Sequence, residues 1–149
     1  MDIGFLIIDD CIQTLIESGD FVSDSGIETA VLISLFSDKR VNESELPPGT
    51  TEKRGWWGDM FPDVINDKIG SKLWTLEREK VTQQTLAAVE TYAVEALDWM
   101  IEDGVATRIE ATASTDQYNH VILSLSIYRP ESEVNRFNLT WDAQELKRA

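Results

Sequence analysis

The sequence contains few of the residues from which disulfides and metal centres are built. Cys11 is the only cysteine and His120 the only histidine among 149 residues. A single thiol excludes an internal disulfide and a cysteine-based zinc site, and it is typical of a chain that folds in a reducing compartment. One histidine and carboxylates spread over every segment do not indicate a converging set of ligands. We therefore predict no metal and no other cofactor.

Positive charge is also scarce. The chain has 13 Lys and Arg against 27 Asp and Glu, which gives a formal net charge of -14 at pH 7. Phosphate contacts need clustered Lys and Arg, so this balance argues against a nucleic acid or an anionic membrane as partner. The N-terminal apolar run has no basic residues before it and is interrupted by acids too early for a signal peptide or a membrane span. We therefore expect an acidic protein that is not exported.

Catalytic motifs are missing as well. A serine hydrolase needs a base beside an exposed nucleophile, but His120 opens a predicted strand that also holds the nearby serines. The segment 55–58 has two glycines and no following lysine, unlike a phosphate-binding loop. Glu95, Asp98 and Glu102 lie on one face of a predicted helix, and we interpret that face as its solvated side. No catalytic residue is predicted.

Tryptophan, in contrast, is concentrated in one region. Trp56, Trp57 and Trp74 are three of the five tryptophans, and glycines flank the first two. Indole provides a large contact area at a low entropic cost, so such a loop covers the protein's own core, anchors a protein partner or stacks on a sugar. Arg54 and Asp59 bracket the pair, and we expect an ion pair or guanidinium stacking to hold the loop in place.

Apolar spacing predicts two main helices. A capping box of Ser25 and Glu28 predicts that the first begins near Ile27 and continues to Phe36. Little of this helix is polar, so its own domain or a partner is expected to cover most of its sides. Residues 38–58 follow as a long loop, which is usually functional in a small domain.

The second main helix is longer and more clearly amphipathic. Thr82 is expected to cap it, and Gly104 is placed to end it after about Asp103 in a left-handed conformation. Between the loop and this helix, short helical turns are expected at 64–67 and 71–79.

After the second helix the apolar period changes from helical spacing to alternation. Alternation predicts strands over 105–113, 121–127 and 137–141, and short polar connections predict an antiparallel meander with the longer helix across its apolar face. Residues 1–22 contain a Ser-Gly-Asp turn and are expected to form a hairpin or an extended arm. The sequence thus predicts a single α+β domain spanning the whole chain.

Several sequence blocks together resemble one family. They are GIETAV at 26–31, SLFSD at 34–38, RGWWGD at 54–59, GSKLW at 70–74, REK at 78–80 and EDGVA at 102–106. In this order they are similar to the baseplate protein family of Mu-like contractile-tailed phages and prophages, over roughly residues 20–130. That family in turn resembles the small wedge proteins of phage baseplates.

The resemblance implies a structural subunit of a contractile tail baseplate that takes part in tail assembly. It implies a place in the virion tail after assembly in the host cytoplasm. The implied partners are larger baseplate wedge proteins, tail hub or tube proteins, and neighbouring copies around the tail axis. The wider wedge group has Glu-Pro-Arg where this chain has Glu102-Asp103-Gly104, so Glu102 alone matches that motif.

The residues and the resemblance together predict a protein interface. Its candidate residues lie in the first helix, the tryptophan region and the end of the second helix: Ile27, Val31, Leu35, Arg54, Trp56, Trp57, Asp59, Trp74 and Glu102. The alternative function is a cell-wall glycan hydrolase acting during phage entry, with Trp56 or Trp57 stacking on sugar and two acids doing the chemistry. A third possibility, an acidic decoy for a nucleic-acid-binding protein, is supported by net charge alone.

Overall fold

The computed structural model of the chain describes residues 2–3, 5–8, 11–14, 16–17, 20–21, 23–24, 26–55, 57–61, 68–76, 79–131 and 134–141. For residues before 26 and for 140–141 this description covers the backbone. Trp56, Ser25 and the helical turn predicted at 64–67 lie outside the described residues.

Strands at both ends of the chain enclose a helical middle. In chain order the elements are β1 (Asp2–Ile3), β2 (Phe5–Ile8), β3 (Cys11–Thr14), β4 (Ile16–Glu17), β5 (Asp20–Phe21), β6 (Ser23–Asp24), α1 (Ile27–Phe36), α2 (Gln83–Leu97), α3 (Trp99–Glu102), β7 (Arg108–Thr115), β8 (Val121–Tyr128) and β9 (Val134–Trp141). Short 3₁₀ turns lie between α1 and α2 at Glu43–Glu45, Trp57–Met60 and Leu73–Leu76.

The N-terminal residues form short antiparallel pairs. β2 runs beside β3 with Ile8 opposite Cys11. β4 runs beside β5 with Glu17 opposite Asp20. β1 pairs with β6 and brings the start of the chain next to the entry to α1. The N-terminal residues therefore pair with one another as in the predicted hairpin, and they do not form the alternative, an extended arm.

The first helix begins at Ile27, as predicted, but its N-cap differs from the prediction. The N-cap residue is Gly26, with φ 81°, and its carbonyl accepts from Ala30 N at 2.9 Å. A left-handed φ strongly favours glycine, which has no side chain to cap the helix. The predicted Ser25 cap therefore gives way to a glycine at the next position.

The second helix is capped as predicted and is bent near its end. Thr82 Oγ1 accepts from Thr85 N at 3.2 Å. The helix was predicted to continue to about Asp103 but is interrupted at Asp98, whose N–H donates to Glu95 O at 3.4 Å. α3 then adds one further turn. Gly104 has φ 74°, the left-handed conformation expected of a residue that ends a helix.

The C-terminal strands form the predicted antiparallel meander, in the order β7-β8-β9. Ile109 pairs with Ile127, and Leu125 pairs with Phe137, so apolar side chains share one face. β7 starts at Arg108 rather than at residue 105, because Ala106 N still donates to Met100 O at 2.9 Å. This hydrogen bond belongs to the end of the preceding helix.

The core lies between the apolar face of the sheet and the helices. α2 packs on β7 and β8, and α1 packs on α2. The largest of the fully buried side chains come from both layers: Val31, Leu35, Leu97, Met100, Leu123, Leu125 and Ile127. This arrangement confirms the α+β class. That the whole chain forms one domain stays a prediction.

Candidate protein interface

Three large apolar side chains of the loop between α1 and α2 are exposed to solvent. Trp57, Met60 and Phe61 are 74%, 76% and 77% exposed, and we call them the apolar turn. They occupy a 3₁₀ turn that Phe61 N extends by donating to Gly58 O at 3.0 Å. Contiguous exposed apolar side chains of this size are typical of a surface that another molecule covers.

Arg54 holds the chain just before the apolar turn. Its Nη1 lies 2.9 Å from Asp38 Oδ2, and its guanidinium carbon lies 4.6 Å from the ring centroid of Trp74. The indole Nε1 of Trp74 in turn donates to Lys39 O at 2.9 Å. Arg54 thus stacks on Trp74, and its ion pair is with Asp38 rather than with Asp59, so Arg54 joins three separate segments.

Asp59 fastens the apolar turn from the other side. Its Oδ1 accepts from Ile69 N at 3.1 Å, which ties the turn to the segment that leads to the third 3₁₀ turn. Its Oδ2 is buried and, among the described residues, accepts no hydrogen bond. A carboxylate that accepts a backbone N–H is a strong acceptor, so this bond fixes where the apolar turn sits.

Close backbone contacts make the base of the loop rigid. The segment 37–39 exchanges two hydrogen bonds of 2.9 Å with Ser71. A Cβ on Gly70 would lie 2.5 Å from the first carbonyl oxygen of that segment, and one on Gly55 would lie 2.7 Å from Arg40 Cβ. Both glycines have positive φ, 103° and 107°. Only glycine fits such crowded left-handed positions, so these residues set the path of the loop.

Lys72 links the loop to α2. Its Nζ lies 2.6 Å from Glu45 Oε1 and 4.0 Å from Glu95 Oε2. The hydrogen bond from Lys72, helped by one from the backbone N–H of Asn42, lowers the pKa of Glu45 below its ordinary 4.5. The same hydrogen bond raises the pKa of Lys72 above its ordinary 10.5 despite partial burial. The pair is therefore ionised at neutral pH.

Three of the predicted interface residues lie inside the protomer. Ile27, Val31 and Leu35 are 6%, 1% and 2% exposed and belong to the hydrophobic core. They recur every four residues and so share the stripe of α1 that faces the core. The apolar side chains that α1 leaves exposed are Ile33 and Phe36, at 44% and 42%. Any partner surface on α1 is therefore on that second side.

The remaining predicted interface residues divide in the same way. Trp74 is 6% exposed and supports Arg54 from inside, whereas Trp56 lies outside the described residues. Glu102 is exposed at the end of α3. Glu95 and Asp98 are exposed too, which confirms the interpretation of their shared face as solvated.

Met60 and Phe61 were not among the candidate interface residues predicted from the sequence. They follow the tryptophan pair after Gly58 and Asp59, so four of the six residues 56–61 are large and apolar within a loop. Because neither helical nor strand periodicity explains such a run, its position in a loop was the available signal. Ile33 and Phe36 had no such signal, since almost every position around them is apolar.

His120 is occupied in a turn between β7 and β8. Its Nδ1 lies 2.7 Å from Asp116 Oδ2, and Asp116 Oδ1 accepts from the backbone N–H groups of Tyr118 and His120 at 2.8 and 2.9 Å. Desolvation works to raise the pKa of Asp116, but these hydrogen bonds hold it below its ordinary 3.8. This arrangement stabilises the turn.

The described residues contain neither a cluster of metal ligands nor a helix suited to span a membrane. No group of three or more His, Cys, Asp or Glu side chains in this part of the chain is placed to hold a metal ion. Of the helices that the structure describes, none combines the length and apolar character of a membrane span.

Comparison with known proteins decides the family. The profile of the family described as phage protein GP46 matches residues 27–134, more than half of the chain. The chain belongs to the phage protein GP46 family. It is 39% identical over 116 residues to baseplate protein gp46 of Escherichia phage Mu, covering 77% of this chain and 78% of that protein. It is 38% identical over 120 residues to Mu-like prophage FluMu protein gp46 of Haemophilus influenzae, covering 79% and 81%.

The GP46 match confirms the resemblance drawn from the sequence blocks. It begins at the first residue of α1 and ends at the first residue of β9. The apolar turn, its supporting loop and both main helices thus lie within the GP46 region, whereas β1 to β6 precede it.

Proposed function

We propose that this chain is a structural subunit of a contractile phage tail baseplate, that it takes part in tail assembly, and that it catalyses no reaction. The observation that carries this proposal is its 39% identity over 78% of a protein named as a baseplate protein of phage Mu. A second relative of similar identity carries the same gp46 designation in a Mu-like prophage.

The apolar turn suits a subunit that is covered on assembly. Three side chains of about 200 Å² each, roughly three-quarters exposed, offer about 450 Å² of apolar surface. This is more than half of the about 800 Å² that one partner contributes to an interface of standard size. Arg54, Asp59 and Trp74 hold the turn in one position before any partner arrives, so little entropy is lost on binding.

The proposed partners are other baseplate or tail components: larger wedge proteins, hub or tube proteins, and neighbouring copies around the tail axis. The proposed location is the tail of the virion, reached by assembly in the host cytoplasm. Of the interface residues predicted from the sequence, Trp57 is the proposed contact. Arg54, Asp59 and Trp74 support its turn. Ile27, Val31 and Leu35 instead hold α1 in the core. Exposed Glu102 marks a separate candidate surface at the end of α3.

A gene disruption in an inducible prophage tests this function. Without the protein, we expect induced cells to lack complete tails by electron microscopy, and a plasmid copy should restore them. In particles from the restored strain, quantitative mass spectrometry should find the protein in the tail fraction. Normal infectious tails without the protein would contradict the proposal. Lysis of peptidoglycan by the purified protein would contradict its non-enzymatic part and support the hydrolase alternative.

A further inference from the structure

β7 forms one edge of the three-stranded sheet, because among the described strands it pairs with β8 alone. One row of its backbone N–H and C=O groups therefore faces away from the sheet. Such a row is a template for pairing with another strand, and proteins protect it with lysine, proline, a bulge or a covering element. Residues 109–115 contain no lysine and no proline, and Glu110 is their one charged residue. The sequence of the strand thus does little to protect its own edge.

The pairing register shows which backbone groups of β7 face outward. Asp116 directly follows β7 and donates its N–H to His120 O at 3.1 Å, so its backbone groups point across the turn toward β8. The direction of these groups alternates along an antiparallel strand. Ala113 is three residues earlier and pairs in register with Leu123, so its N–H points away from β8. This N–H therefore belongs to the outward-facing row.

A side chain from α2 occupies the edge at Ala113. Glu90 Oε1 accepts from Ala113 N at 2.8 Å. Glu90 is half-buried, and it lies on the helix that packs mainly on β7. A hydrogen bond from a backbone N–H to a carboxylate is roughly twice as strong as one between neutral groups. An incoming strand would need this same N–H for its own carbonyl oxygen, which would meet the negatively charged carboxylate at that position.

We propose that Glu90 keeps the β7 edge closed and so prevents copies of this chain from joining strand to strand through β7. Without the carboxylate, the β7 strands of two copies can pair antiparallel about a two-fold axis and join two sheets into one. Glu90 thus provides from the helix the protection that residues 109–115 lack. This role does not depend on the proposed function, because it concerns the chain before any partner is present.

Variants of Glu90 in the full-length chain test this role. Glu90→Ala removes the acceptor, whereas Glu90→Gln removes the charge but keeps a side-chain oxygen that can accept from Ala113 N. In light scattering, Glu90→Ala should have a larger mass than the wild type at the same concentration, and this excess should grow as concentration rises. Glu90→Gln should match the wild type. Glu102→Ala, which removes an exposed carboxylate at the end of α3, should match it too.

A second substitution locates the association. Ala113→Pro removes the N–H that the incoming strand needs, and proline at an edge position blocks pairing there. Adding it to Glu90→Ala should therefore restore the wild-type mass, while circular dichroism establishes that each variant keeps its fold. A folded Glu90→Ala variant with the wild-type mass at every concentration would overturn the proposal. Association that persists after Ala113→Pro would overturn it as well.

Amide hydrogen exchange tests the proposal on the wild-type protein, even if Glu90→Ala does not fold. Thr115 N–H is the comparison, because Thr115 is two residues further along β7 and faces outward in the same row. After correction for intrinsic rates, Ala113 N–H should exchange about 10-fold more slowly, as expected for a hydrogen bond to a charged acceptor. Glu90→Gln should retain part of this protection. Equal rates at Ala113 and Thr115 in the wild type would show that Glu90 does not close the edge.

Discussion

Trp57 and Trp74 have the same side chain, but their replacement by alanine should have very different effects on stability. Trp74 is 6% exposed, carries the Arg54 guanidinium on its ring and donates to Lys39 O. Trp57 is 74% exposed. We therefore expect Trp74 to contribute to folding and Trp57 to contribute to assembly.

The expected magnitudes follow from the buried area. An indole side chain of roughly 200 Å², almost wholly buried, contributes about 5 kcal/mol at about 25 cal/mol per Å². Trp74→Ala should therefore lower the free energy of unfolding by about 4 kcal/mol, within the range for large core truncations. Trp57 buries about a quarter of its surface, so its truncation should cost about 1 kcal/mol as an upper estimate.

An intermediate variant isolates the hydrogen bond. Trp74→Phe keeps an aromatic ring beneath Arg54 but removes the N–H that donates to Lys39 O at 2.9 Å. The lost hydrogen bond and the smaller ring should together cost about 2 kcal/mol. The order of stability is then wild type and Trp57→Ala first, Trp74→Phe next and Trp74→Ala last.

Urea unfolding at neutral pH, followed by far-ultraviolet circular dichroism, measures these differences through the midpoint at constant m-value. Equal destabilisation by Trp57→Ala and Trp74→Ala would refute the assignment of one indole to the surface and the other to the interior. A loss below about 1 kcal/mol for Trp74→Ala would refute the supporting role of its ring.

Three further predictions concern the loop, the ion pair and the helix cap. Gly70→Ala should lower the free energy of unfolding in urea by about 3 kcal/mol, because a Cβ would meet Ser37 O at 2.5 Å. Gly49→Ala is the control: Gly49 also has a left-handed φ, 82°, but open space around it, so the loss should be about 1 kcal/mol. Equal losses for the two variants would contradict the crowding argument. Because folding lowers the pKa of Glu45, its ion pair with Lys72 stabilises the protein fully above about pH 4.5, and this stabilisation is lost as pH falls through the pKa of folded Glu45. Because folding raises the pKa of Lys72, the same ion pair is fully stabilising below about pH 10.5 and is lost as pH rises through the pKa of folded Lys72. Thermal unfolding of wild type and Lys72→Met should therefore differ most at neutral pH and converge in acid, and a difference independent of pH would exclude the ion pair as its cause. Thr82→Ala should cost about 1 kcal/mol through loss of the bond to Thr85 N, whereas Thr82→Ser should restore most of it; equal stability of all three proteins would show that the cap is unimportant.

Much of the fold was predictable because it depends on local periodicity. Alternating apolar residues gave three strands in the observed order, and helical spacing with Thr82 and Gly104 gave both ends of the helical stretch before the sheet. The interruption at Asp98 was not predictable in this way, since apolar spacing continues across it.

The candidate interface was harder to predict because it depends on contacts between distant residues. α1 is apolar on nearly every side, so its sequence does not show which stripe faces the core, and the stripe of Ile27, Val31 and Leu35 proved to be buried. Arg54 was expected to hold the tryptophan loop, but its ion-pair partner, Asp38, lies 16 residues earlier. Sequence spacing alone cannot identify this partner, because the pairing depends on how the loop folds back onto the rest of the protein.

The pairing of Asp38 with Ser71 gives the loop a narrow neck. The chain leaves the body after α1 and comes back beside its point of departure, and the contacts of Arg54, Asp59 and Lys72 tie the excursion down further. Additions or deletions near its Pro-Pro-Gly tip at 47–49 would change the outline of the excursion while the neck stays closed. The region between α1 and α2 can therefore diverge in length among related proteins and still return to the body at the same point.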